Sequence, residues 1–244
     1  MAKRGQGRRT RASAGEAVAA AAILALPAAE AEAIALLARA RRTLMRQDPR
    51  LAEVIKALGP CLYRLRPGGF PTLFHAILRQ QLSGKAAATI AGRVLQACGG
   101  VVLPEAVAAI DDAGFAACGV SRQKRDYLRG LAAAVLASPA LFAALEDLSD
   151  EAAIEALTAI KGIGRWTAEM YLMFSLGRLD VLPLGDVSIR AAIAQIYGIS
   201  RKTPLARVTR RMTKLGESWR PYRSIACWYF YAYLDQAKQP LPET

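Results

Sequence analysis

Two features of this chain have residue types and spacing that could do chemistry. In LTAIKGIGRWTAEMYL, residues 157–172, helical apolar spacing is interrupted by Gly162 and Gly164. Each glycine costs about 1 kcal/mol against alanine inside a helix, so the pair marks a tight turn between two helices. Past the turn, the amides around Gly164, Arg165 and Trp166 have no intrahelical partner and carry partial positive charge, which makes an anion site. A dinucleotide fingerprint is excluded, because Thr167 stands where a third glycine is needed and the preceding segment reads as helix. A nucleotide-phosphate loop is excluded because Gly164-Arg165-Trp166 replaces Gly-Lys-Ser/Thr. A plain helix-helix turn without a ligand stays open. The second feature is a carboxylate. Asp186 heads VSIRAAIAQIYG, where residue chemistry alone makes it a helix N-cap, and Asp180 lies nearby ahead of an apolar run.

Metal and relay chemistry have little material. The single histidine, His75, reads as a surface or packing residue, and Cys61, Cys98, Cys118 and Cys227 are scattered without a CxxC pair, as free thiols. Gln80-Gln81-Leu82-Ser83 forms a polar knee between two helical stretches. Ser83 can cap the second of them, but capping leaves the two glutamines unexplained. Basic residues cluster in SRKTPLARVTRRMTKLGESWRPYRS, including Arg207, Arg210, Arg211, Lys214, Arg220 and Arg223 against Glu217 as the single acid. A solvated helix face would mix signs, so this stretch is a candidate phosphate-contact surface.

The elements that must hold these groups read as helices. The 244 residues are rich in alanine and poor in strand alternation, which predicts an all-α fold. Helices are expected over 31–46, from Asp48-Pro49 to Gly59-Pro60, over 71–80 and 84–97, from Ser121, over 141–148 and 149–160, over 166–176, after Asp186, over 204–215 and over 218–234. Lys plus Arg is 33 against 20 for Asp plus Glu, a formal net charge of +13, which points to a polyanionic partner. No apolar run reaches the roughly 20 residues of a membrane span. The basic start followed by a short apolar stretch imitates a targeting peptide. Its alanine-rich run passes straight into Glu30 and Glu32, favouring a disordered basic arm over 1–28 and a folded domain over 29–244. A targeting peptide stays open.

Three stretches, AILRQQLSGKAAATIAGRV, LTAIKGIGRWTAEMYLMF with LPLGDVSIR downstream, and SWRPYRSIACWYFY, together resemble the helix-hairpin-helix (HhH-GPD) DNA glycosylases. The nearest branch is the DNA-3-methyladenine glycosylase II, or AlkA-like, type, and the likeness runs from about Asp48 to about Asp235. The resemblance implies two α-helical lobes with an active-site cleft between them. The antiparallel sheet domain of the larger enzymes has no room in residues 1–47. It makes Asp186 the catalytic carboxylate, with Asp180 second. It gives Trp166 and Tyr231 to the wall of a base pocket, with Met170 where the family often has another aromatic. DNA contacts fall on Gln80, Gln81, Leu82, Ser83, Gly162, Gly164, Arg165, Thr167, Arg190 and Arg223. Gln81 matches the intercalating position, and Leu82 is the apolar choice. The backbone carbonyls of Thr158, Ile160 and Ile163 match a monovalent cation site for Na+ or K+. Neither another cofactor nor an iron-sulfur cluster is implied.

Strand-cutting relatives carry a lysine nucleophile where this chain has Trp166, so the resemblance implies a monofunctional enzyme. It would release alkylated purines such as 3-methyladenine and 7-methylguanine from double-stranded DNA. The implied protein is a cytoplasmic, nucleoid-associated monomer with no membrane partner. A non-catalytic DNA-binding module and a glycosylase for oxidised or deaminated bases are the alternatives.

Overall fold

The computed structural model describes residues 28–200 and 202–236, so the arm expected at 1–28 lies outside the described residues except for Ala28. The described chain is helical throughout, with no strand. In order the helices are α1 (Ala28–Gln47), α2 (Pro49–Leu58), α3 (Phe70–Arg79), α4 (Gly84–Ala97), α5 (Pro104–Ala109), α6 (Asp112–Ala117), α7 (Arg122–Ala137), α8 (Leu141–Asp147), α9 (Asp150–Thr158), α10 (Arg165–Phe174), α11 (Val187–Ile196), α12 (Leu205–Glu217) and α13 (Arg223–Gln236). Side-chain oxygens of Asp48, Ser83, Asp111, Ser121, Ser149 and Asp186 accept backbone N–H groups at the starts of six of them. Each such cap contributes about 1 kcal/mol and fixes where its helix begins.

The helices sort into two groups. The middle of the chain forms one: α3 packs on α4, α7 and α10, α5 and α6 pack on α7, and α9 packs on α10. Both ends form the other: α13 packs on α1, α2 and α11, with α12 against α11. One contiguous apolar core runs through both. The segment after α2 stitches them, since the Tyr63 hydroxyl donates to the Met173 carbonyl and the Arg66 amide donates to the Phe174 carbonyl at 2.7 Å. A cleft of about 1390 Å³ opens between α3 and α10 on one side and α13 on the other.

One expected element is shorter. The helix read over 218–234 begins only at Arg223, because Ser218 to Pro221 turn away and bury Trp219 completely. The proline there has no N–H to donate to a helix. No single described helix is long and apolar enough to cross a membrane.

Candidate active site

Asp186 sits at the start of α11 and is only 5% exposed. One oxygen, Oδ1, accepts the Ile189 amide at 2.8 Å, which caps the helix. The other, Oδ2, accepts the indole Nε1–H of Trp166 at 2.5 Å and the hydroxyl of Tyr231 at 2.9 Å. These partners come from three separate elements, α10, α11 and α13, so the tertiary fold builds this carboxylate site. Burial, then the neighbouring Asp186 charge, pushes the Tyr231 phenol far above its ordinary range, so it stays protonated and donates. The Tyr231 oxygen also lies 3.5 Å from the Met170 sulfur. Trp166 is 49% exposed and lines the cleft with Tyr231 and Met170. The carboxylate is thus sealed from bulk water by side chains that themselves face the cleft.

The expected turn around Gly162 and Gly164 is present, and its two glycines serve different ends. Gly162 has φ +99° and lies so close to the Tyr127 ring that a side chain there would collide with it. Its position demands glycine for conformation and packing. Gly164 has an ordinary φ of −89°, caps α10 without a side-chain hydrogen bond, and faces open space where a Cβ would stand. Its amide and those of Arg165 and Trp166 are the groups an anion could approach. Thr167 is buried one position further on.

The knee meets this turn directly. Gln80 Nε2 donates to the Gly162 carbonyl at 2.9 Å, and Lys124 Nζ donates to the Leu78 carbonyl at 2.6 Å. Gln81, exposed, holds φ +56°, a left-handed conformation that a non-glycine residue adopts only under constraint. Leu82 beside it is also exposed, and Ser83 accepts the Ala86 amide at 3.3 Å. Gln80, Gln81 and Leu82 all line the cleft.

Two expected DNA-contacting side chains have partners within the protein. Arg165 forms a two-pronged pair with Glu151 at 2.6 and 2.8 Å and donates to Glu169 at 3.0 Å. Arg223 grips Asp180 through Nε at 2.7 Å and Nη2 at 3.0 Å, and Arg220 takes the same carboxylate at 2.6 Å. Both guanidinium groups are therefore structural clamps here. Asp180, the second-choice carboxylate, is thus engaged by two arginines. Arg190 lies half-buried in the first turn of α11, its amide on the Asp186 carbonyl at 3.1 Å. In the basic stretch, Arg211 donates to the Tyr197 carbonyl at 3.2 Å.

The sequence reading missed part of the cleft wall. Leu62, Arg64, Leu65 and Arg66 line it from the loop after α2, joined by Phe174 and Trp228. His75, read as surface or packing, lines it as well, with its imidazole pKa lowered by burial and by Arg79. Their apolar and basic types carried no local signal of a site. Among the described residues no group of three or more His, Cys, Asp or Glu could hold a metal ion, and the four cysteines are unpaired with one another. Thr158 ends α9, and the Ile160 carbonyl accepts the Ile163 amide at 3.0 Å, keeping a second lone pair.

The HhH-GPD profile, described as that of HhH-GPD superfamily base excision DNA repair proteins, matches residues 74–221. The chain is 31% identical over 199 residues to the alkylbase DNA glycosidase-like protein mag2 of Schizosaccharomyces pombe, covering 79% of this chain and 92% of that one. It superposes on a DNA-3-methyladenine glycosidase from Bacillus halodurans with a TM-score of 0.70 and 39% identity, covering 78% of this chain and 87% of the other. The 3-methyladenine DNA glycosylase Mag1 of S. pombe, solved in complex with abasic DNA, gives a TM-score of 0.70 at 32% identity, over 83% of this chain and 100% of the other.

Proposed function

This chain belongs to the HhH-GPD superfamily of base excision DNA repair proteins, and from that premise we propose that it is a monofunctional DNA glycosylase for alkylated purines. It takes the damaged nucleotide out of duplex DNA, hydrolyses the N-glycosidic bond and leaves an abasic site. The observation that carries this reading is the buried Asp186 carboxylate, held directly behind Trp166 and Tyr231, which line an open cleft. The residue at the start of α10 is an indole, not an amine, so no Schiff base can form with the sugar from that position. The product is therefore an intact strand with a missing base.

The steps follow from the groups in place. The amides at Gly164, Arg165 and Trp166 hold a backbone phosphate. The Gln81 and Leu82 knee enters the space vacated by the extruded base, and unstacking costs a few kcal/mol. An N-alkylated purine is cationic, which weakens its glycosidic bond and draws it to the faces of Trp166 and Tyr231, worth about 0.5–2 kcal/mol per contact. As that bond breaks, the electron pair leaves with the base and positive charge builds on the sugar. The fixed negative charge of Asp186 stabilises this oxocarbenium-like state. Water then adds its oxygen to C1′, and its proton is released.

For the turn at 158–163, we propose that the carbonyls of Thr158, Ile160 and Ile163 hold a monovalent cation. Such hard oxygen donors suit Na+ or K+, and the charge would strengthen the phosphate grip. The cytoplasmic, nucleoid setting follows as part of the same proposal.

The test is excision from duplexes carrying a methylated purine, a uracil or an 8-oxoguanine in one competition. Release of the methylated base, leaving an unbroken strand until alkali is added, is the expected result. Release of none of the three sinks the glycosylase reading. Preferential release of uracil or 8-oxoguanine sinks the alkylated-purine assignment.

A further inference from the structure

The cleft wall contains a cation that the reaction itself does not use. Arg66 sits on the loop after α2, its amide on the Phe174 carbonyl at 2.7 Å and its guanidinium 5.1 Å from the centre of the Phe174 ring. That ring lies 6.4 Å from the Tyr231 ring, whose hydroxyl is bonded to Asp186. Arg66, Phe174, Tyr231, Trp166 and Met170 line one cavity. Arg165, Arg220 and Arg223 each hold a carboxylate, whereas the Arg66 guanidinium lies over a ring. The aromatic stack orients the group and leaves its N–H edge for a ligand.

We propose that Arg66 is a specificity-determining residue that makes this pocket prefer purines with a 6-oxo edge over those with a 6-amino edge. The inference rests on the glycosylase reading and names the substrate class of that same site. A guanidinium has five N–H donors and no acceptor. A 6-carbonyl accepts from it, as guanine O6 does from arginine in DNA readout, whereas a 6-amino group sets donor against donor. Formal charge does not decide the choice, because 7-methylguanine and 3-methyladenine are both cationic in DNA and meet the same repulsion from Arg66 and the same attraction to the rings. At the 6 position the two bases differ between acceptor and donor, and a group with donors alone reads that difference.

The experiment uses the full chain and one sample of methylated duplex DNA containing both lesions, with the two free bases quantified by mass spectrometry under limiting enzyme. Arg66 is exposed and its stack on Phe174 is a contact that a methionine thioether can replace, so Arg66→Met is expected to melt with the wild type. The variant should lower the ratio of released 7-methylguanine to 3-methyladenine by roughly tenfold, the effect of losing one hydrogen bond to a charged donor. Arg66→Lys, which keeps the charge but not the planar fork, should fall between the two. A ratio unchanged in Arg66→Met, with both bases still released, overturns the inference and leaves the glycosylase reading standing. Equal loss of both bases reduces Arg66 to a general contact and also overturns it. No release of either base by the wild type removes the glycosylase reading and this inference together.

Discussion

Two aspartates in this protein are built from the same parts. Asp48 caps α2, with Oδ1 accepting the Arg50 and Leu51 amides at 3.0 Å, and Asp186 caps α11, with Oδ1 accepting the Ile189 amide at 2.8 Å. In each case Oδ2 takes a tryptophan Nε1–H and a tyrosine hydroxyl: Trp219 at 2.8 Å and Tyr197 at 2.6 Å for Asp48, Trp166 at 2.5 Å and Tyr231 at 2.9 Å for Asp186. The carboxylates are equally buried, at 6% and 5% exposed. The tryptophans are not: Trp219 is 0% exposed and Trp166 is 49%. One trio is closed on every side by core, with Trp219 against Phe230 and Tyr197. The other has one wall open to a cleft. The same hydrogen-bond chemistry therefore pins two helix groups together in one place and offers a fixed charge to a ligand in the other.

That contrast is sharpest under removal of the acid. Asp186→Asn keeps the cap and the volume but removes the charge and sets an NH2 donor against the Trp166 N–H, so base release should fall by about 10²–10³-fold while stability falls by only about 1–2 kcal/mol. Asp48→Ala should do the reverse. It strands the buried Tyr197 and Trp219 donors and loses a cap, for a cost of about 4 kcal/mol, measurable by urea unfolding. Its release rate per folded molecule should be unchanged. If Asp48→Ala slowed chemistry as strongly as Asp186→Asn, the distinction between closed and open trios would collapse.

The glycine pair gives a second version of the same contrast. Gly162→Ala must adopt φ +99° and displace Tyr127, which should cost about 2–4 kcal/mol of stability. Gly164→Ala meets nothing within the protein, so stability should change by less than about 0.5 kcal/mol. Its methyl group occupies the approach to the first amides of α10, and duplex affinity should weaken by roughly tenfold in a fluorescence anisotropy titration. Unchanged duplex affinity in Gly164→Ala would show that the open face of the turn is not a ligand site.

The tryptophans themselves allow a finer test. Trp219→Phe leaves Asp48 short of a donor in a sealed core and should cost about 2 kcal/mol. Trp166→Phe sits at a half-exposed wall, so the fold should be nearly unaffected, while release of an alkylated base should drop about tenfold through weaker stacking and a less constrained carboxylate. Loss of stability without loss of rate in Trp166→Phe would return that residue to ordinary packing.

What could be read from the sequence divides along the line between local and distant contacts. The caps at Ser83, Ser121, Ser149 and Asp186 and the turn at 161–164 depend on residues a few positions apart, and each was legible. The likeness to a known family supplied the pairing of Asp186 with Trp166 and Tyr231 in one pocket, which spacing alone could not. The engagement of Asp48 with Tyr197 and Trp219 spans 149 and 171 positions and left no local trace. Arg165 and Arg223 looked like free cations because their acidic partners Glu151 and Asp180 lie 14 and 43 positions away. The loop carrying Arg64 and Arg66 showed only turn composition, and its place on the cleft follows from its bond to the end of α10.

The smallest expected effect is a pH response beside the open trio. Beside the open trio lies a second buried acid, Glu169, 5% exposed, whose carboxyl is pushed above its ordinary 4.5 by burial, against the opposing pull of Arg165. A carboxyl raised in the folded state favours folding fully below the unfolded value and loses that contribution as pH rises through the folded value. Removing Arg165 leaves the burial penalty uncompensated and raises Glu169 further, and it also frees Glu151, whose carboxyl the same arginine holds down. Both changes act in one direction: Arg165→Met should lose more stability relative to wild type at neutral pH than at pH values below about 4.5. Thermal midpoints of the two proteins across that interval measure it. A gap that stayed constant with pH would mean that the Arg165 clamp acts through packing of its stem.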